Sequence, residues 1–270
     1  MSASTSPSST PRRTASPTAL LPTLITTQLR MLLRARKTIA LFIIQLIPVI
    51  AALFYVVLHG SDGLTLFRKI VENVSYPFLV PLIALFYGGP TIVDEMEGRT
   101  LTYLTLRPIP KPLIYLGKLV AGCVTGALLI VIPMALLFIV CLATSEDLGA
   151  AAPSMLQMLG GATLGVICYT TVFALLGAMF TKSIISSIVY FVIFEMVLAT
   201  LPVLELLSIR YYLRTIAEFN VGDRLGLLDQ FILDKPIVFP IWAGILVVAL
   251  ISLFASAFGA YIFKEKQYVV

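Results

Sequence analysis

Charge is scarce in this sequence. Asp, Glu, Lys and Arg make up 12% of its 270 residues, where a soluble domain carries about 25%. Histidine occurs once, at His59, so no two imidazoles of this chain can share a haem or a metal ion. Cysteine occurs three times, and Cys123, Cys141 and Cys168 stand inside apolar runs without CxxC spacing. That excludes a disulfide framework and a thiolate metal site, and leaves small buried apolar side chains. No phosphate loop is present. Gly117-Lys118 has no glycine five residues before Gly117, and Leu119 stands where Ser or Thr is required. The chain therefore has no nucleotide-hydrolysing site or cofactor site of its own. Its net charge of +5 lies in the segments between apolar runs, where it orients a membrane protein rather than binding nucleic acid.

Apolar sequence is abundant. Hydrophobic residues are 59% of the chain and mean hydropathy is +1.00. Six runs stand out, approximately 39–58, 74–93, 119–143, 155–180, 184–204 and 236–263. Each approaches the roughly 20 residues that cross a hydrocarbon core of about 30 Å. Each is expected to be helical, because lipid offers unpaired backbone groups no partner. The second run is the least regular, since Pro77, Pro81 and Gly88-Gly89-Pro90 predict bends or a break. Gly122 with Gly126, and Gly161 with Gly165, have the spacing of close helix contacts. The fold expected is an all-α polytopic membrane protein with six transmembrane helices.

Domain organisation follows from composition. Residues 1–19 read as a disordered tail, because Ser, Thr and Pro fill 13 of the first 18 positions. The Ser-rich, acid-free tail also suits an organelle transit peptide. Residues 20–38 read as an interfacial amphipathic helix. Arg30, Arg34 and Lys37 share one face, and Leu21, Ile25, Leu29, Leu32 and Leu33 gather opposite. A permease-sized bundle occupies 39–263, and 264–270 form a short cytoplasmic tail. With the N-terminus inside, thirteen of the nineteen basic residues fall on the inner side and six on the outer. The positive-inside rule then puts both termini in the cytoplasm of a cell whose inner membrane holds the chain. The long outer segment 205–235 has apolar residues at roughly helical spacing and predicts short helices at the outer mouth.

The charged stretch between the second and third runs is Asp94–Lys118. Asp94, Glu95 and Glu97 suit a helix N-terminus. Leu101 and Leu104 form a short apolar stripe, Thr100 is a polar neighbour, and Arg107-Pro108 ends the element. The result is a short helix across the inner membrane face, placed to sit in a groove of a partner. This stretch resembles the signature loop of type-2 ATP-binding-cassette (ABC) exporter permeases. The matching residues are Glu95, Glu97, Gly98, Thr100, Leu101, Leu104, Pro108, Lys111, Gly117 and Lys118. The run Pro108-Ile109-Pro110-Lys111-Pro112 is richer in proline than the family pattern, which stiffens the exit. The resemblance implies a short coupling helix between spans 2 and 3 and outer gate helices between spans 5 and 6. It also implies two cytoplasmic ATPase subunits, which would bind ATP and Mg, and a second permease subunit, identical or related.

Within the membrane, Glu195 near the middle of the fifth run is the costly residue, about 2.5–3.5 kcal/mol on insertion scales. It is either a pathway or gating residue, or a neutral carboxyl bonded to another helix. Gln45, Tyr169, Thr170 and Thr171 sit at comparable depth as its possible partners. Two rival functions stay open. One is a membrane enzyme acting on lipid or prenyl diphosphates, for which Asp94, Glu95 and Glu97 are the only clustered acids to hold a metal. The other is a non-transporting assembly or scaffold subunit.

Overall fold

The computed structural model describes residues 21–59, 63–90, 111–142, 148–180, 182–198, 201, 204–219 and 239–265. These residues are almost wholly helical, with no strand among them. The elements are α1 (Leu21–Leu33), α2 (Arg36–His59), α3 (Gly63–Tyr87), α4 (Lys111–Leu142), α5 (Leu148–Met179), α6 (Ser183–Val197), α7 (Ile209–Ile216) and α8 (Ile241–Glu265). Between α6 and α7 the described residues include a 3-10 turn, Leu204–Leu207.

Among the described residues, five helices, α2, α3, α4, α5 and α8, are long and apolar enough to cross a membrane. The central pair is α4 and α5, with α5 the most enclosed and α2 and α8 the least. The outward faces of α2 and α8 carry bare large apolar side chains, among them Phe54, Val57, Trp242 and Phe254. Such a surface aggregates in water and is solvated in lipid. On α8, Trp242 and Tyr261 are both exposed. Nineteen residues of helix separate them by about 28 Å, close to the spacing of aromatic belts at the two faces of a bilayer.

Two expected spans differ from what is observed. The second helix begins at Gly63, not near residue 74, and ends at Tyr87. It thus takes in Arg68, Lys69 and Glu72, which the apolar run excluded. Its middle, Val71–Leu79, is wound as a π-helix around Pro77. Proline has no N–H and its ring crowds the carbonyl four residues back, here Asn73, so a wider turn relieves the clash. Beyond it the Val80 N–H reaches Ser75 O, five residues back. The fifth run was expected to cross over 184–204, but its helix is Ser183–Val197, and Phe191–Val197 is again π-helical. At the α-helical rise it would be about 22 Å long, short of a full crossing.

The bundle has two ends. Gly117 of α4 faces Ile25 of α1, and Tyr115 of α4 packs on Phe263 of α8 with ring centroids 5.7 Å apart. The two ends of the described chain therefore lie together, at what we term the α1 end. At the other end, Gly244 of α8 meets α7 through Ile216 and the Tyr212 carbonyl. α1 lays Leu32 and the Ile25 side of its apolar stripe against α4, while Leu33 is exposed. Part of the face read as lipid-directed thus packs on protein.

Candidate functional site

At the α1 end, three elements are tied through one hydroxyl. Tyr87, the last residue of α3, has its Oη 2.6 Å from Thr38 Oγ1 of α2. Thr38 Oγ1 in turn donates to the carbonyl oxygen of Leu32 in α1. Threonine has one hydroxyl proton. With that proton given to Leu32, the bond to Tyr87 must be donated by the phenol. Lys37 Nζ lies 5.7 Å from the centre of the Tyr87 ring, within cation–π range.

Glycines then bring backbones together as the chain leaves α3. A Cβ on Gly88 would lie 2.6 Å from Phe173 Cβ and 2.8 Å from the Thr170 carbonyl oxygen. A Cβ on Gly177 of α5 would lie 2.8 Å from Gly89 Cα. The exit of α3 is thus held against α5 with no side chain between them. On α4, a Cβ at Gly122 would lie 3.1 Å from the Tyr87 carbonyl oxygen of α3 and one at Gly126 2.7 Å from Val166 Cγ1 of α5, so the two glycines admit different neighbouring helices.

Glu95, Glu97, Gly98, Thr100, Leu101, Leu104, Arg107 and Pro108 all lie outside the described residues. Their flanks do not. Gly89 packs on Gly177 and Ser183, and Gly117 packs on Ile25, so the intervening stretch leaves and re-enters the bundle at the α1 end. Lys118 is buried there, 8% exposed.

At the other end, α7 is fastened by side chains from three longer helices. Glu195, 3% exposed, accepts from Ser208 Oγ at 2.7 Å and from Ile209 N at 3.0 Å, with Arg210 N farther off at 3.4 Å. Ser208 is the N-cap residue, with extended backbone, but its own side chain caps nothing. The carboxylate of α6 does so instead, where helix N–H groups lack partners and the dipole favours a negative charge. In the last turn, Arg214 Nη2 donates to Glu72 Oε1 of α3 at 2.5 Å. Beyond it, Gln157 Nε2 of α5 donates to the Ile216 carbonyl at 2.9 Å. The end of α7 is a Schellman turn. Phe219 N bonds Arg214 O, Glu218 N bonds Thr215 O, and Glu218 takes φ 53°. Burial, with Glu205 and Tyr212 nearby, pushes the Tyr211 phenol up to about 12, so it stays protonated at neutral pH.

Of the side chains expected around Glu195, one is there. Tyr169 is fully buried beside the carboxylate, although its hydroxyl makes no hydrogen bond of ordinary geometry among the described residues. Thr171 bonds the Cys168 carbonyl of its own helix. Thr170 lies by Gly88, on the α3 side of α5. Gln45 lines a separate cavity of about 10 Å³ with Ser75 and Pro133, room for about one water molecule. The sequence reading missed Glu72, Arg214, Gln157 and Ser208. A signal existed for the first pair: Glu72 abuts an apolar run, and a charge at membrane depth needs a partner.

A bundle of apolar helices, bare on its outside and fastened inside by an ion pair and a hydrogen-bonded buried carboxylate, fits a multi-pass membrane protein. The family model for ABC-2 family transporter proteins matches residues 30–198. The chain belongs to the ABC-2 transporter family, whose members are membrane permeases. No curated protein matches it.

Proposed function

We propose that this chain is the transmembrane subunit of an ABC exporter, moving its substrate outward with work supplied by a separate cytoplasmic ATPase. The α1 end faces the cytoplasm of a cell with this chain in its inner membrane, both termini included. The stretch 94–118 is the coupling element, with Leu101 and Leu104 seated in the ATPase and Glu95 and Glu97 at its helix N-terminus. Two such permease subunits, identical or related, pair across the bilayer, and α7 belongs to the outer gate. Glu195 acts at that gate rather than along a pathway with Gln45.

One observation carries this reading. In a chain of the ABC-2 family, the flanks of the charged segment that resembles the family's signature loop lie beside α1 and both described ends. Reading that side as the inner one assigns to it thirteen of the nineteen basic residues of the sequence, which the positive-inside rule favours. A push there meets Tyr87 and the Gly88-Gly89 contact directly, and both bear on neighbouring helices.

The test is co-purification. Tagged chain from its native membrane should bring down an ATPase. Leu101→Asp or Leu104→Asp should release that ATPase or abolish its stimulation, because a charge would replace an apolar anchor. Activity of the lone chain on a lipid diphosphate, or labelling of Glu97→Cys on the membrane side opposite the termini, would overturn the proposal.

A further inference from the structure

The eight residues of α7 carry two cations, Arg210 and Arg214, and two other helices each aim one carboxylate at α7 itself. Glu195 of α6 takes its N-terminal amides, and Glu72 of α3 takes the Arg214 guanidinium of the last turn. Both carboxylates stand on π-helical winding, in Val71–Leu79 and Phe191–Val197. That winding is uncommon and tends to mark functional positions. Glu195 matches the dipole of α7 at its N-terminus, and Arg214, which Glu72 holds, matches it in the last turn.

We propose that Glu72 and Glu195 are positioning residues forming a two-point latch on α7. While both hold, α7 is fixed across the end of the bundle as part of one unit with α3 and α6. When one lets go, α7 pivots on the other. Only when both let go does α7 leave as a whole. The geometry requires this order because the two fastenings are at opposite ends of a short rigid rod and come from different helices. Gln157, on α5, bonds only the final carbonyl and cannot replace either charge. The latch rests on the reading of α7 as an outer gate element and supplies its mode of release.

The experiment is amide hydrogen exchange of the full chain in lipid nanodiscs, read on residues 208–219, with peptides from α4 and α5 as internal standards. Glu195→Gln should speed exchange at Ile209 and Arg210 by about 10- to 100-fold, the factor such charge-assisted bonds carry, and leave the last turn protected. Glu72→Gln should do the reverse. The double variant should expose the whole of α7. The exchanged pair Glu72→Arg with Arg214→Glu should restore protection, which a merely space-filling role would not. Full exposure from either single change, equal acceleration in α4 and α5, or failure of the exchanged pair would overturn the latch. A last arm separates it from the exporter reading. With a co-purified, hydrolysing ATPase present, exchange over 208–219 should rise on adding ATP. If hydrolysis proceeds and that exchange does not change, α7 is a fixed brace and the inference fails while the exporter reading stands.

Discussion

Two glycines on α5 should respond oppositely to the same methyl group. At Gly177, a Cβ would lie 2.8 Å from Gly89 Cα and 2.9 Å from Gly89 O. Carbon atoms in ordinary contact are about 3.5–4.0 Å apart, so α3 and α5 would have to separate by roughly 1 Å. The obstacle is backbone, which has no rotamer to change, and α3 is already pinned one residue earlier by Gly88 on Phe173. Overpacking of this kind costs about 1–3 kcal/mol. At Gly160, nothing lies within 4 Å of a Cβ. There Gly160→Ala keeps only the gain in helix propensity, about 0.5–1 kcal/mol. Because both sites are inside one helix, that gain cancels in the comparison. The variants should differ by roughly the overpacking cost alone, with Gly177→Ala the less stable. The assay is thermal denaturation in one detergent or nanodisc, following the monodisperse fraction. Equal stability of the two variants would mean that α3 and α5 do not meet at these glycines and would undo the account of the α3 exit.

Other substitutions probe separate fastenings. Tyr87→Phe removes the donor to Thr38 and should lower stability by about 1 kcal/mol. It should also raise proteolysis of α1, whose Leu32 carbonyl receives the same chain of bonds. Tyr76→Phe deletes the fully buried hydroxyl that donates to Met158 O at 2.7 Å. It removes a second bond to a carbonyl that its own helix already meets, at a cost of about 0.5–1.5 kcal/mol, measurable as a lower denaturation midpoint. Glu218→Gly should raise stability by up to about 1 kcal/mol, since glycine takes φ 53° without crowding. A loss there would show that the Glu218 side chain is needed. Gly259→Ala should destabilise through collision with the Tyr115 ring, and trimming that ring with Tyr115→Leu should rescue it.

The fold was legible where apolar length alone decides. α2, α4, α5 and α8 fall close to their expected runs, because about 20 apolar residues have few alternatives in lipid. α3 was displaced because Arg68, Lys69 and Glu72 look like loop residues in sequence. In the structure Glu72 is neutralised by Arg214, 142 residues away, and no local pattern announces so distant a partner. The helix described at α6, Ser183–Val197, is shorter than the run at 184–204, and hydropathy does not register a change of winding such as the π turn at Phe191–Val197. Glu195 drew attention because a carboxylate is costly in an apolar run. Its hydrogen-bond partners lie 13–15 residues on, in Ser208, Ile209 and Arg210. Two of those three are backbone amides, and amides are the same whatever the residue.

The π winding of α3 turns a static oddity into a store of rotation. A π segment and an α segment of equal residue count differ in length and in the direction of whatever follows. An α-helix turns about 100° per residue and the wider π winding roughly 80°, so rewinding about half of Val71–Leu79 as α would swing the adjoining half by about a quarter-turn. Glu72 lies on one side of Pro77 and Tyr87 on the other. A helix built this way can twist its two halves against each other without bending, so what the membrane feels at one face need not be a push at all, but a quarter-turn begun at the opposite face.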